Sequence, residues 1–295
     1  MWAKFTAFIM SVVIAILSLF GLDYLIDGGI IKMENVSYGT HERQVLDLYL
    51  PEDLSEVTGL VLCIHGGAWI GGDKSAYTDA AKDLCKNMKV ATATINYRYL
   101  SADVTMYDII DDVDAAVSKI KEISKENGTD INKMLLTGHS AGAHLSMLYA
   151  YSKADTAAIT PAAVANMSGP TDMTDENYFV NNDLGTENVL MLVTYATGKR
   201  ITLENFEESK TELEKIAPLY YVNENTVPTI ICHGMKDTVV PYSNALTLEA
   251  RLKECGVTYD FISYPNSGHG LESDEEQAKY AEELMIEYLN KYVLS

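Results

Sequence analysis

The chain is poor in basic residues and in cysteine. Its 295 residues include 22 lysines and arginines against 42 aspartates and glutamates, which gives a formal net charge of −20. No cluster of basic side chains is present to neutralise phosphates, which argues against nucleic acid as a partner. The four cysteines form no Cys-x-x-Cys pair and no His-x-x-x-His pair occurs, so the usual spacings of a metal site are missing. A phosphate-binding loop is missing too, because Gly66-Gly67 is not followed by Gly-Lys-Ser/Thr.

One long uncharged run lies near the N-terminus. Residues 5–22 carry no charged side chain, and Lys4 precedes them. This length is at the short end for a membrane-spanning helix, which needs about 20 apolar residues. We expect residues 1–28 to form an uncleaved membrane anchor, with a cleaved signal peptide or a buried core helix as alternatives. As an anchor or a signal peptide, this segment would place residues 29–295 outside the cytoplasm, anchored or secreted.

From residue 33 onward, short apolar runs alternate with amphipathic segments. The run at 60–64 is wholly apolar, as in a strand that is buried on both faces of a sheet. Residues 106–125 are predicted to be helical, because apolar side chains recur there at spacings of three and four. Such alternation is typical of an α/β domain with a mainly parallel sheet.

The alternation breaks between residues 170 and 215. This stretch is polar, carries acidic clusters and lacks the strand pattern expected at its position. Loops of such length in a compact domain often act as lids or bind ligands. We therefore predict a lid-like insertion at 170–215 that lies over the edge of the sheet.

The clearest catalytic signal is Gly138-His139-Ser140-Ala141-Gly142. It has the form G-x-S-x-G, in which serine occupies a sharp turn between a strand and a helix. The preceding MLLT predicts a strand and the following AHLSMLYAY predicts a helix, so the context fits. An ordinary strand-to-helix turn is the alternative. We predict Ser140 to be a nucleophile.

A second glycine-rich segment, HGGAW at residues 65–69, follows the apolar strand at 60–64. Glycine allows a backbone to turn its N–H groups toward one point. Donors of this kind stabilise the oxyanion that forms when serine attacks a carbonyl, at about 3 kcal/mol each. We predict an oxyanion hole formed by the amides of Gly66, Gly67 and Ala141, with Ala68 as a further candidate. A turn that serves only the fold is the alternative.

Two later strands are each followed by a further candidate. Asp237 comes after TIICHGMK, and His269 after FISYPNSG. The chain order Ser140, Asp237, His269 is the one expected of a serine hydrolase with this strand–turn–helix motif. His269 would take the proton of the serine hydroxyl, and Asp237 would orient the imidazole and stabilise its charged form. Asp172 and Asp260 are the rival acids.

Taken together, these segments resemble the bacterial carboxylesterase/lipase group of α/β-hydrolases, the branch similar to hormone-sensitive lipase and to feruloyl or acetyl-xylan esterases. The matching pieces are LDLYLP, HGGAW, NYRY, GHSAGAHL, APLYYV, HGMKDTVVP and SGHG. The resemblance implies the α/β-hydrolase fold, a mostly parallel eight-stranded sheet with helices on both faces, with no metal and no organic cofactor. One departure is Ala68, where many relatives carry a third glycine, and it leaves open which amide faces the oxyanion.

The resemblance and the motifs together predict a carboxylesterase. We expect it to act on short-chain acyl esters, small or glycan-linked, through an acyl-enzyme. An amidase, formamidase or small peptidase with the same triad is an alternative, and a non-catalytic binding protein on a hydrolase fold is another. Trp69 and His139, which adjoin the two motifs, are the candidates for substrate binding. The sequence leaves the oligomeric state open.

Overall fold

The structure, a computed structural model, describes residues 24–180 and 182–295. Within this part a nine-stranded sheet has the order β1-β2-β3-β5-β4-β6-β7-β8-β9. The strands are β1 (Tyr24–Asp27), β2 (Ile30–Ser37), β3 (Val45–Pro51), β4 (Gly59–Ile64), β5 (Ala91–Ile95), β6 (Lys133–His139), β7 (Thr160–Met167), β8 (Thr229–Gly234) and β9 (Tyr259–Tyr264). Strands β4 to β9 are parallel, whereas β1, β2 and β3 pair antiparallel at one side. The predicted α/β-hydrolase fold with a mostly parallel sheet is confirmed, and one edge strand adds to the eight expected.

The additional strand, β1, lies within the segment that was predicted to be separate from the domain. It pairs with β2, with Tyr24 opposite Met33 and Asp27 opposite Ile30. A tight turn through Gly28 joins the two strands, and its φ of 61° suits glycine. The sheet therefore begins before the boundary that we expected at residue 28.

The predicted anchor at residues 5–22 lies outside the described residues. Among residues 24–180 and 182–295, no helix combines the length and the apolar character that crossing a bilayer requires.

Helices cover both faces of the sheet. They are α1 (Thr78–Met88), α2 (Met106–Glu126), α3 (Ala141–Ser152), α4 (Asn177–Val180), α5 (Thr186–Thr197), α6 (Phe206–Glu214), α7 (Tyr242–Glu254) and α8 (Glu275–Tyr288), with shorter helical turns at Leu54–Glu56, Lys74–Tyr77, Pro218–Tyr221 and Leu289–Val293. Helices α2, α3 and α7 contribute to one apolar core, and α8 with the last turn contributes to a second core on the opposite face.

Strand β4 lies near the centre of the sheet and shows why the chain folds into layers. All six of its residues are buried. Leu60, Leu62 and Ile64 belong to the core under α2 and α3, while Val61 and Cys63 belong to the core on the other face. Successive side chains of a strand point to opposite faces, so a wholly apolar strand requires cover on both sides.

The insertion at 170–215 is helical in the structure and contains α4, α5 and α6. Its buried apolar residues, such as Phe179 and Leu213, join the core on the α2 and α3 side. At one end, the Asp183 amide donates to the Thr238 carbonyl oxygen at 2.8 Å. Farther along, a β-carbon on Gly198 would lie 3.4 Å from Cγ2 of Thr105, the residue that precedes α2. The insertion therefore extends along the edge of the sheet where the parallel strands end, and its action as a lid stays a prediction.

Candidate active site

Ser140 occupies the sharp turn between β6 and α3. Its backbone has φ 57° and ψ −122°, a conformation that residues other than glycine rarely adopt. The two glycines of the motif make this turn possible, because a β-carbon on Gly138 or Gly142 would lie 2.5 Å or 1.9 Å from the carbonyl oxygen of Ile64. The sequence motif therefore corresponds to a real close approach between α3 and the end of β4.

The structure brings together the three side chains that the sequence singled out. The Nε2 atom of His269 lies 2.9 Å from the Ser140 hydroxyl oxygen, and its Nδ1 atom lies 2.8 Å from Oδ2 of Asp237. The three residues follow β6, β8 and β9 at the carboxyl ends of the strands, where catalytic groups gather in open α/β sheets. The serine can therefore pass its proton to an imidazole that a carboxylate orients.

The rival acids are engaged elsewhere. Asp172 accepts hydrogen bonds from the amide and hydroxyl of Thr174. Asp260 accepts one from the Tyr288 hydroxyl at 2.8 Å. Both carboxylates thus have local structural partners.

Asp237 is a buried carboxylate with several donors. Its Oδ1 atom accepts from the amides of Val239 and Val240 at 2.8 and 2.9 Å. Its Oδ2 atom faces His269 and lies 3.3 Å from Nε2 of the buried His233. Burial alone would raise the pKa of Asp237, but the hydrogen bonds from His233, His269 and the Val240 amide hold that pKa well below its usual range. The acid is therefore charged at neutral pH.

The segment that we call the HGG loop, residues 65–72, leaves β4 next to the serine. A β-carbon on Gly66 would lie 3.4 Å from the Ser140 β-carbon and 2.7 Å from the carbonyl oxygen of His139. Gly67 has a φ of 115°. Within the described part of the chain, the amides of Gly66 and Gly67 donate to no backbone acceptor, and Ala141 is the first residue of α3, so its amide has no partner within the helix. They are available to an oxygen beside Ser140, and their action as an oxyanion hole stays a prediction.

Trp69 was predicted to bind substrate, but the structure places its side chain in the core. Its side chain is only 2% exposed, and its Nε1 atom donates to Nδ1 of His144 at 3.3 Å. His144 in turn lies 2.7 Å from the carbonyl oxygen of Ile216, and burial lowers its pKa to about 4. The Trp69 indole is thus a core group that joins the HGG loop to α3, and it presents no surface to a substrate.

His139, the other candidate for substrate binding, contacts the triad loop directly. Its Nε2 atom lies 2.7 Å from the carbonyl oxygen of His269, and the centroids of the His139 and His269 rings are 4.8 Å apart. Burial lowers the pKa of His139, which favours a neutral ring that donates to this carbonyl. The contact gives His139 a part in holding the His269 loop.

One residue at this edge of the sheet gave no signal in the sequence. Arg43 lies between β2 and β3, and its guanidinium contacts both ends of the HGG loop, at His65 and at Gly72. Arg43 is an isolated basic residue that lies 22 positions before His65 along the chain, so composition and spacing offered no way to connect it with the HGG loop.

The fold and the hydrogen-bonded serine, histidine and aspartate define the class of this protein as an α/β-hydrolase. The chain belongs to the BD-FAE family, whose model matches residues 46–252. Residues 213–293 also match the dienelactone hydrolase family. Among the described residues, no group of three or more His, Cys, Asp or Glu side chains is placed to hold a metal ion.

Curated relatives and solved structures agree with this class. A probable isoprenylcysteine alpha-carbonyl methylesterase of Oryza sativa subsp. japonica is 25% identical over 80% of the chain, and the esterase LipQ of Mycobacterium tuberculosis is 24% identical over 82%. The chain spans 58% of the length of each. The solved structure of a truncated carbohydrate esterase from gut microbiota aligns with a TM-score of 0.69, at 22% identity, over 87% of this chain and 96% of that one.

The depressed pKa of Asp237 predicts a pH-dependent contribution to stability. A carboxyl whose pKa is lowered by folding stabilises the fold above its unfolded pKa of about 3.9, and this contribution is lost as the pH falls further. Asp237→Asn should therefore lower the free energy of unfolding at about pH 7, and the difference from the wild type should shrink toward about pH 3. Urea denaturation at both pH values measures it.

The matched control is Asp155→Asn, because Asp155 is exposed. Its stability should follow the wild type at both pH values. A difference for Asp237→Asn that stayed constant with pH would show that the Asp237 charge does not stabilise the fold.

Proposed function

We propose that this protein is a serine hydrolase that cleaves carboxylic esters through an acyl-enzyme. The observation that carries the proposal is the continuous contact from Ser140 through His269 to Asp237, at 2.9 and 2.8 Å. Nucleophile, base and orienting acid thus stand at hydrogen-bonding distance before any substrate binds. The family and its esterase relatives support the same conclusion.

The first half of the reaction forms the acyl-enzyme. The Ser140 oxygen attacks the ester carbonyl carbon while Nε2 of His269 accepts the hydroxyl proton. The carbonyl oxygen becomes negatively charged, and the amides of Gly66, Gly67 and Ala141 would donate hydrogen bonds to it. His269 then returns the proton to the departing alkoxide, which leaves as the alcohol.

Water completes the cycle. His269 takes a proton from water as the water oxygen attacks the acyl carbon, and it then protonates Ser140 as the acid leaves. In both halves the imidazole becomes positively charged for a moment. The ionised Asp237 at Nδ1 stabilises this state, which requires that the carboxylate keep its charge at working pH.

We propose short-chain acyl esters, small or carried on a carbohydrate, as the substrates. The named activity of the carbohydrate esterase with the same fold supports the second kind. Large apolar side chains are exposed in two of the loops that carry the site, with Ile70 in the HGG loop at 44% and Met235 near Asp237 at 52%. We propose that these two side chains form a small apolar surface beside Ser140, which would suit a short acyl group.

Replacing the nucleophile tests the reaction. Ser140→Ala should lower kcat for p-nitrophenyl acetate by about 10⁴-fold or more, because no oxygen remains to form the acyl-enzyme. A fluorophosphonate should label the wild type once, at Ser140, and the variant not at all. Circular dichroism should show an unchanged fold.

Ser152→Ala is the control for this experiment, since Ser152 ends the same helix and donates only to the Leu148 carbonyl oxygen among its described partners. It should keep both activity and labelling. Full activity in Ser140→Ala, or a label on another residue, would contradict the assignment of the nucleophile.

A substrate panel tests the acyl preference. The value of kcat/KM for p-nitrophenyl esters should be highest from acetate to butyrate and should fall for longer chains, because the exposed apolar surface is small. Acetylated and feruloylated sugars, assayed beside the panel, report on the carbohydrate part. A value that rose steadily with chain length would rule out the short-chain preference.

We also propose that residues 1–28 place the enzyme at a membrane, with the catalytic domain outside the cytoplasm. The uncharged run at 5–22 with Lys4 before it supports this. The full chain should sediment with membranes through a carbonate wash, and a chain that starts at residue 23 should be released. Recovery of the full chain in the soluble cytoplasmic fraction would contradict the proposal.

A further inference from the structure

The HGG loop has a strained backbone. Ala68 and Trp69 have φ values of 50° and 60°, which lie in the left-handed region that is unfavourable for residues other than glycine. A residue with a β-carbon is destabilised in this region, because the β-carbon lies too close to the following carbonyl oxygen. Conformations of this kind persist only where surrounding contacts hold them. The positions of the Gly66 and Gly67 amides therefore depend on whatever fixes this loop.

Arg43 holds the loop at both ends. Its Nη2 atom lies 3.2 Å from Nε2 of His65 and 3.2 Å from the carbonyl oxygen of Gly72. Its Nε atom donates to the Tyr97 carbonyl oxygen at 2.9 Å, and the guanidinium lies 3.7 Å from the centre of the Tyr99 ring. Arginine suits such a place because its planar group can stack and donate in several directions at once.

Arg43 forms no ion pair with an acidic residue of the described part of the chain. Within the described part of this acidic chain, no carboxylate oxygen lies within 4 Å of its guanidinium. By contrast, Arg98 forms a close ion pair with Asp112. The contacts that Arg43 makes are therefore with the loop and the strand end beside it.

The contact with Arg43 fixes the protonation of His65. The Nδ1 atom of His65 lies 2.7 Å from the Gly66 carbonyl oxygen, so Nδ1 must carry the proton, and Nε2 accepts from Arg43. Burial and the nearby positive charge of Arg43 both lower the pKa of His65, which keeps the ring neutral. The Tyr97 ring stacks on it at 4.4 Å.

This arrangement orients the peptide between Gly66 and Gly67. In a trans peptide the carbonyl oxygen and the following N–H point in opposite directions. Because His65 holds the Gly66 oxygen on one side, the Gly67 N–H points away from His65. A rotation of the His65 ring would release the carbonyl and turn the amide with it.

We propose that Arg43 is a positioning residue for the oxyanion hole. Arg43 fixes the orientation of the His65 ring, and the ring fixes the orientation of the Gly66 carbonyl. The Gly66 carbonyl in turn determines the direction of the Gly67 N–H, since both belong to one peptide. Its contact with Gly72 closes the other end of the loop. This inference rests on the proposed ester hydrolysis, since it assigns Arg43 to the stabilisation of that reaction's oxyanion.

Arg43→Gln tests the inference through a split between kcat and KM. The variant should lower kcat for p-nitrophenyl acetate by about 10- to 100-fold, the range expected when a catalytic donor is displaced, and should leave KM within about twofold. Arg43→Lys should not restore kcat, because a single ammonium cannot replace the Nη2 contacts and the Nε contact with Tyr97 together, and it has no planar group to stack on Tyr99. Arg251→Gln is the matched control, since Arg251 lies on α7 and pairs with Glu254.

A trifluoromethyl ketone gives a second measurement. The Ser140 oxygen adds to its carbonyl carbon, His269 takes the proton, and the former carbonyl oxygen becomes an alkoxide in the predicted hole. Its Ki should rise in Arg43→Gln by the factor by which kcat/KM falls. The ¹⁵N shifts of His65 should report the Nδ1–H form in the wild type and a mixture of the two neutral forms in the variant.

The measurements distinguish a failure of the inference about Arg43 from a failure of the proposed function. A wild-type kcat and Ki in Arg43→Gln would overturn the inference, and so would a loss of activity with unchanged Ki. If Arg43→Gln does not fold, the Ki of Arg43→Lys decides in the same way. A wild type that neither hydrolyses esters nor takes the fluorophosphonate label would instead remove the proposed function itself.

Discussion

Helix α3 packs so closely against the end of strand β4 that no side chain fits between them. A β-carbon at Gly142 would come within 1.9 Å of the Ile64 carbonyl oxygen. The same approach sets the turn at Ser140, whose backbone is left-handed as a result. Since the HGG loop begins one residue after Ile64, this contact also sets how far the loop amides lie from the Ser140 hydroxyl. The serine and its predicted oxyanion donors thus share one origin in the packing of a helix on a strand.

Histidine has a second use at this edge of the sheet. Of six histidines in the chain, His269 contacts the serine, while four others each bring a ring nitrogen to a backbone carbonyl oxygen: His65 to Gly66, His139 to His269, His144 to Ile216 and His233 to Val240. A neutral imidazole donates on one side and accepts on the other. Burial lowers the pKa of His65, His139 and His144, so these three rings fix loops in place as neutral groups.

Local motifs predicted the parts of the site that depend on a few adjacent residues. The turn at Ser140 and the glycine-rich loop were found in this way, and the strand ends located Asp237 and His269. Burial of Trp69 depends on His144, 75 positions away, so an aromatic beside a glycine-rich loop was misread as a substrate contact. The strand Tyr24–Asp27 was missed because it directly follows the apolar run at 5–22, with which it was grouped.

Hydrogen bonds link the insertion at 170–215 to the segment that follows Asp237. The Thr238 hydroxyl donates to the Asp183 carboxylate, and the Asn182 side-chain amide donates to the Val239 carbonyl oxygen. The N–H of the same peptide, that of Val240, is one of the two amides that donate to Asp237. A displacement of Asn182 would therefore be transmitted to the Asp237 carboxylate through the peptide between Val239 and Val240. A substitution that moves Asn182 or Asp183 would therefore also disturb the carboxylate that contacts His269, so the sequence of the insertion and the geometry at Asp237 are not independent.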